Sequence, residues 1–345
     1  MNPSISIVMP CRNEEGSIEA CLTSILALEQ PDGGVEILVV DGMSTDRTRE
    51  IVGVIASRSP EVRMLDNPAH TTPHALNIGI RSARGSVIFR MDAHTEYAPD
   101  YLTSCLAALE STGADNVGGP ARTHATGYLQ RAIAAAYHSR FAVGNALFHQ
   151  TDYEGPADTV PYGCWKREAF DRFGLFDEDL ARNQDDEHNF RICKGGGLVW
   201  QSPSIKSWYS PRASLSGLFR QYFQYGYWKV RVIQKHGAPA SWRHLIPAVF
   251  VTSLSILTVL AFIHKVFAFG LLALAGTYLA CVAAASVMTA VRSNMLLLPA
   301  LIPVYACYHF AYGLGFIAGL WDFQILRRTG RFIKLSRDAH RGLES

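Results

Sequence analysis

Acidic side chains are scarce in the part of this chain that is richest in apolar ones. Beyond Leu245 the only acids are Asp322, Asp338 and Glu344, against eight lysines and arginines. The first 244 residues carry 24 basic and 27 acidic side chains, so the overall charge of +2 averages a mildly acidic part and a basic one. No broad basic face follows from that balance, and no reading as a nucleic-acid binder. Paired cysteines are missing too. The seven (Cys11, Cys21, Cys105, Cys164, Cys193, Cys281, Cys307) are odd in number, scattered and never in Cys-x-x-Cys spacing. They read as reduced, structural thiols in a cytosolic setting. The opening Met1-Asn2-Pro3-Ser4 runs at once into a short apolar strand, without the charged stretch and long apolar run expected of a cleaved signal peptide.

What is present is apolar: 48% of 345 residues, high for a soluble enzyme, with room for one large domain or two small ones. Residues 4–10 read as a buried strand stopped by Pro10, followed by a helix over 13–28. A second strand over 35–40 ends at Asp41-Gly42-Met43-Ser44-Thr45-Asp46, and a helix follows over 47–57. Strands at 62–65 and 86–89 flank a helix at 74–82. Alternating units of this length predict an α/β fold, a mostly parallel sheet covered on both faces. Ligands bind beyond the carboxyl ends of such strands, where Pro10 to Glu14, Asp41 and Asp92 all fall.

From 117 to 200 the pattern loosens. Residues 214–234 mix rings and cations, which suits a helix in a membrane interface; packing beneath the sheet is the alternative. Three apolar segments follow, at about 245–263, 266–290 and 296–320, each long enough for a hydrocarbon core of about 30 Å. The tail carries Arg327, Arg328, Arg331, Lys334, Arg337 and Arg341, which the positive-inside rule places in the cytoplasm. Three full crossings from a cytoplasmic domain put that tail outside. Either one segment is re-entrant or interfacial, or the first two form a shallow hairpin around His264-Lys265.

Two acidic clusters carry the chemistry. Asp92-Ala93-His94 closes the apolar run Ser86-Val87-Ile88-Phe89, and Gln184-Asp185-Asp186-Glu187 follows about ninety residues later. One group would hold a metal on a diphosphate, and the other would take a proton.

The segments Ser6-Ile7-Val8-Met9-Pro10-Cys11-Arg12-Asn13-Glu14, Val39-Val40-Asp41-Gly42-Met43-Ser44-Thr45-Asp46, Asp92-Ala93-His94 and Gly174-Leu175-Phe176-Asp177-Glu178, with Gln184-Asp185 and Arg191, resemble the markers of family 2 glycosyltransferases of GT-A fold. The likeness covers about residues 4–235. Asp-Ala-His in place of Asp-x-Asp, Tyr225-Gly226-Tyr227-Trp228-Lys229 and the trailing apolar segments are similar to membrane-bound succinoglycan-type exopolysaccharide glucosyltransferases. The resemblance implies a GT-A domain over 1–212, an interface helix region over 213–244, membrane helices over 245–321 and a basic tail over 322–345. It implies a bacterial inner-membrane enzyme with its catalytic domain in the cytoplasm, a UDP-sugar donor and a polyprenyl-diphosphate-linked glycan acceptor. A processive synthase and a non-catalytic nucleotide-sugar-binding subunit are the alternatives.

The same resemblance assigns roles. Pro10, Arg12 and Glu14 would border the base and ribose, and Asp41 would accept from uracil N3–H or ribose hydroxyls; the family's second aspartate is Gly42 here. Asp92 and His94, on one side of an extended segment, would bind Mn²⁺ or Mg²⁺ across the diphosphate. Asp185 would be the base, its pKa raised by crowding with Asp186 and Glu187. In the plainer reading these acids simply favour a helix start. Asn77 and Arg84 resemble the sugar- and nucleotide-side loop, and the Val160-Pro161-Tyr162-Gly163 loop would shape the sugar pocket. Gln224 and Trp228 keep the outer residues of the Gln-x-x-Arg-Trp of processive relatives, with Tyr227 in place of the Arg. Lys229 would meet the acceptor's diphosphate, lipid headgroups or the membrane surface.

Overall fold

The computed structural model describes residues 4–239 and 241–327. They form two compact units: 4–123 with 147–210, and 124–146 with 211–327. The contact boundary therefore differs from the linear one, because 124–146 joins the helical unit. The tail beyond Arg327 lies outside the described residues.

The first unit holds strands β1 (Ile5–Cys11), β2 (Val35–Asp41), β3 (Val62–Asp66), β4 (Val87–Arg90), β5 (Thr95–Tyr97), β6 (Asn116–Gly118), β7 (Arg122–Thr123), β8 (Gly155–Pro156), β9 (Cys164–Lys166), β10 (Val199–Gln201) and β11 (Ser207–Tyr209). Its helices are α1 (Ile18–Leu26), α2 (Thr48–Arg58), α3 (Thr72–Ser82), α4 (Tyr101–Thr112), α7 (Arg167–Phe173) and α8 (Gln184–Lys194). Eight strands run in the order β3-β2-β1-β4-β9-β6-β10-β8, and β5-β11-β7 form a small second sheet. The β3-β2-β1-β4 half is parallel throughout, whereas β9 pairs antiparallel with β4 and β6.

Side-chain alternation builds two cores on this sheet. Ile5, Ile7 and Met9 of β1 join Ile37, Val39 and Phe89 beneath α1 and α4. Val8, Leu38, Val40 and Ile88 point to the other face, under α3, α7 and α8. With both faces covered, all seven residues of β2 are buried, hence the unbroken apolar run that marked it in the sequence. The expected helix over 13–28 forms only from Ile18 to Leu26. Residues 13–17 are drawn instead into a loop bonded to the end of β2.

The second unit contains α5 (Tyr128–Tyr137), α6 (Arg140–Val143), α9 (Leu215–His236), α10 (Ile246–Ala261), α11 (Lys265–Arg292) and α12 (Leu298–Gly319). Three segments are long and apolar enough to cross a membrane: Trp242–Ala261, Lys265–Arg292 and Met295–Ile325. The aromatic, basic stretch forms the single helix α9, which lies along α12 at backbone distance. A Cβ on Gly226 would sit 2.1 Å from the Tyr312 carbonyl oxygen, and one on Gly315 2.0 Å from that of Phe223. Only glycine permits this approach.

Candidate active site

Three strands end together. Cys11 pairs in register with Asp41, and Asp41 with Asp66, while β4 finishes at Arg90 and hands the chain to Asp92 at the same edge. Two loops there are stitched by side chain to backbone bonds. Asn13 N–H donates to Ser44 Oγ (2.9 Å), Thr45 N–H to Asn13 Oδ1 (2.9 Å), and Glu14 N–H to Thr48 Oγ1 (2.8 Å). Asn13 and Met43 take left-handed backbone conformations, φ 55° and 56°, a strain found where a loop is held for a ligand.

Asp185 arrives from the other half of the unit, on the first turn of α8. Its helix is locked on both sides. Asn189 joins Asn116 (2.7 Å) and Thr159 (2.8 Å), while His188 Nε2 meets the Gly174 carbonyl (3.0 Å). Glu187 is fully buried and accepts from Arg191 (2.9 Å), so it serves the helix. Asp185 is thereby held beside Arg90, whose Nη1 donates to its Oδ2. The same guanidinium grips Asp92 with two bonds, Nε to Oδ1 (3.0 Å) and Nη2 to Oδ2 (3.1 Å). Asp185 keeps 28% of its side chain exposed, and its Oδ1 has no hydrogen-bond partner among the described residues. Burial, and secondarily Asp92, raises its pKa against the pull of Arg90. Burial works against the Arg90 charge, but the two carboxylates outweigh it and raise its pKa further. A carboxylate with one oxygen oriented and the other buried but unpaired has an acceptor left for a proton.

Asp92 and His94 do not share a face. Residues 92–94 form a turn closed by Thr95 N–H on the Asp92 carbonyl (3.3 Å), so the alternation of an extended strand does not apply. Asp92 faces Arg90, with its N–H on the Tyr97 hydroxyl (2.7 Å). His94 faces Glu14 (3.7 Å), and its buried Nδ1 makes no hydrogen bond among the described residues. No cluster of three His, Cys, Asp or Glu side chains able to hold a metal occurs among those residues. The donor set fits a hard divalent ion held by one or two protein groups and completed by phosphate oxygens, not a protein cage.

Asp41 is fully buried and already engaged. It accepts from Ser44 N–H (3.0 Å), Ser44 Oγ (2.5 Å) and Arg49 Nη1 (2.5 Å), and Arg49 also pairs with Asp66 (2.8 Å). Its carboxylate shapes the loop rather than reading a base. Arg12 takes the open position instead. Its stem lies on Gly42, where a Cβ would come within 3.2 Å, and its Nε and Nη1 are buried without partners. Buried guanidinium donors left unpaired call for a ligand. Pro10 does not stop the strand: it pairs in register with Val40, and β1 runs on to Cys11; Glu14 is buried, bound to Ser17 (2.8 Å).

Two expected contacts lie elsewhere. Asn77 is a staple: its amide receives Phe176 N–H (3.0 Å) and donates to the Phe176 carbonyl (2.9 Å) and Glu178 (2.8 Å). It positions the Gly174–Glu178 loop and is too deeply buried to touch a donor. Arg84 sits at the amino ends of the strands, paired with Glu36 (2.8 Å), about 20 Å of strand away from the site. In the second unit Gln224, Trp228 and Lys229 are buried, the Trp228 ring packing on Phe323 (5.7 Å). Burial takes all three away from any acceptor surface.

Arg90 and Arg49 went unrecognised in the sequence. Each lies within a regular element, and only the fold reveals which carboxylates it faces. Tyr162 is more legible: its loop reaches the Asp92 turn, accepting from Thr95 Oγ1 (3.1 Å), its ring 6.1 Å from Tyr97.

Comparison with known proteins gives the family and the fold. Residues 6–174 match the model of glycosyl transferase family 2. The chain is 34% identical over 244 residues to the succinoglycan biosynthesis protein ExoA of Rhizobium meliloti, covering 70% of this chain and 73% of that one. It is 27% identical over 239 residues to a Methanococcus voltae dolichyl N-acetyl-alpha-D-glucosaminyl phosphate 3-beta-D-2,3-diacetamido-2,3-dideoxy-beta-D-glucuronosyltransferase, covering 67% and 74%. A mannosyltransferase of Pyrobaculum calidifontis, solved with GDP-Man and Mn²⁺, shares the fold with TM-score 0.60 at 22% identity, over 93% of this chain and 88% of that one. The first unit thus has a GT-A-like fold, and the match to ExoA extends over most of both chains. On that evidence, this chain is a glycosyltransferase and belongs to glycosyltransferase family 2.

Proposed function

We propose that the chain is an inverting, metal-dependent glycosyltransferase that moves a hexose, in the first instance glucose, from a UDP-sugar to a lipid-linked oligosaccharide. The product would enter bacterial exopolysaccharide or a cell-surface glycan, with the reaction on the cytoplasmic side of the inner membrane. One observation carries this reading: Asp185, with one buried oxygen left unpaired, shares a buried guanidinium with Asp92 at the rim where the Arg12 and Asp41 loops meet.

In this mechanism the acceptor hydroxyl gives its proton to Asp185 while its oxygen bonds to the anomeric carbon. The bond from that carbon to the diphosphate oxygen breaks, and UDP leaves. One displacement without a protein nucleophile inverts the centre, so an α-linked donor yields a β-linkage. Arg90 keeps the Asp185 carboxylate aimed. The unpaired nitrogens of Arg12 are positioned to donate to base or phosphate oxygens. A Mn²⁺ or Mg²⁺ held by Asp92 and by the donor's own phosphate oxygens, without His94, would supply charge to neutralise the departing diphosphate. Support for the acceptor comes from the relatives, one a succinoglycan biosynthesis protein, the other acting on a dolichyl-linked sugar phosphate.

The test is a donor panel (UDP-glucose, UDP-galactose, GDP-mannose) with Mn²⁺ and a polyprenyl-diphosphate oligosaccharide, products resolved by mass and anomeric configuration. Addition of one β-linked hexose from a UDP donor is expected. An α-linked product, strict use of GDP-mannose, or a long polymer would refute inversion, the UDP preference or single addition, respectively.

A further inference from the structure

The three apolar segments of the second unit are unlike one another in how they pack. α10 and α11 form an antiparallel hairpin: Phe250 packs at a tilt against Tyr278 (4.4 Å), and Gly270 approaches Leu257. The residues they bury all lie in the half next to the chain's entry and exit: Ala248 and Val251 on α10, and Val282, Ala285, Ser286 and Ala290 on α11. From 252 to 281 no residue is buried. α12 is buried along its whole length, from Ala300 to Gly319, and 44% of its most apolar window is covered, against 11% and 6% for the other two.

The neighbours of α12 account for that cover. α9 runs beside it in the same direction, Tyr222 against Tyr308 (4.3 Å) and Tyr227 bonded to Asp322 (2.9 Å). α5 and α6 flank its first half: the Tyr128 hydroxyl donates to the Leu296 carbonyl (2.8 Å), and His309 Nε2 meets the Phe141 carbonyl (2.7 Å). A third crossing packed along the hairpin would bury a row of α11 side chains over its full length. Instead α12 meets α11 only over its second half, from Tyr278, bonded to His309 (3.1 Å), to Thr289, bonded to Tyr305 (2.6 Å), so it lies across the lower half of the hairpin.

The exposed faces of this layer divide by polarity. α12 and the turn after it expose Ile302, Leu314, Leu320 and Trp321. The open faces of α5 and α9 present Arg131, Arg220, Gln234 and Lys235 together with the rings of Tyr128 and Phe219, a mixture found at membrane interfaces. Such a division suits a layer lying flat, its apolar stripe in the acyl boundary and its cations among headgroups. The hairpin suits a crossing. α11, with 28 residues, is about 42 Å long, and α10 with its preceding turn spans 20 residues, about 30 Å, against a hydrocarbon core of about 30 Å. Trp242, 78% exposed, and Arg243 mark its base as an interface.

We propose that α10 and α11 cross the bilayer as a hairpin while α12, with α5 and α9, lies in the interfacial layer on the side where the hairpin begins. The inference rests on reading these helices as membrane elements. It returns the chain to the side it left, so Arg327 and Arg243 share one face of the membrane, as the positive-inside rule requires.

The test is labelling of single cysteines at Ala238, Ile263, Ser293 and Gln324, in a cysteine-free background that still releases UDP, with a membrane-impermeant maleimide on sealed vesicles of known orientation. Labelling of 238, 293 and 324 from one side and of 263 from the other is expected. Position 324 labelling with 263 would establish three crossings, and 263 labelling with 238 a shallow hairpin; either overturns the proposal. Should the cysteine-free chain not fold, protease protection of a C-terminal epitope on the native chain decides the same question. An alkaline carbonate wash precedes both: release of the protein would remove the membrane reading itself, whereas retention with the wrong labelling removes only this topology.

Discussion

Arg90 and Asp185 are 95 positions apart in the chain, yet the guanidinium of one is bonded to the carboxylate of the other in the cleft. Because Arg90 also holds both oxygens of Asp92, one buried cation sets the distance between the residue that would serve the diphosphate and the one that would take the proton.

Asp185→Asn keeps the shape and the bond from Arg90 but removes the base. We expect transfer to fall by about 10²–10⁴-fold while UDP affinity stays within a few-fold. Initial rates with lipid-linked acceptor, alongside UDP titration, measure both; normal turnover would end the base assignment.

Arg90→Ala leaves two carboxylates facing each other without their cation. Removing one partner of a buried ion pair costs about 3–5 kcal/mol, so both melting temperature and rate should drop. Arg90→Lys retains charge but not the planar fork and should fall between. An alanine variant that melts with the native protein would contradict the bridging role.

As the proposed base, Asp185 would act only when deprotonated, and burial raises its pKa. The acid limb of the rate profile should therefore lie above the ordinary aspartate value of about 3.9. As pH falls through the raised pKa the rate is lost. A limb at or below 3.9 would show that Asp185 is not the titrating base.

His188 is buried against Phe170, Phe176 and Trp165, and desolvation pushes its pKa down to about 4. The unfolded chain takes up this proton near pH 6.5 and the folded chain does not. Stability is thus complete above about 6.5 and declines on acidification towards 4, by on the order of 3 kcal/mol. Denaturant midpoints of the native protein and His188→Phe across that window should differ in slope, the variant being flatter.

Gly315→Val would drive a side chain into the Phe223 carbonyl. α9 must then part from α12, and the helical unit should lose detergent stability. Monodisperse, normally melting Gly315→Val protein would show that the close approach is dispensable.

The sequence alone carried the sheet as far as β4, because strands buried on both faces leave unbroken apolar runs with Pro or Asp at their ends. It also carried α9 and the three apolar helices, whose length and composition speak without tertiary context. It marked Asp92 and Asp185, since dense carboxylates at the ends of predicted elements are conspicuous. The functions of Asn77, Arg84, Asp41 and Trp228 were not legible, because each depends on partners brought from elsewhere: Phe176, Glu36, Arg49 and Phe323.

Local periodicity and composition thus determined which segments are strands, which are helices and which are long and apolar enough to cross a membrane, since those depend on neighbours within a few residues. The tertiary structure decided which charges meet. An ion pair takes its energy from a separation of a few ångströms, and no spacing along the chain encodes that Arg90 lies between Asp92 and Asp185, or that α12 packs across the lower half of its hairpin.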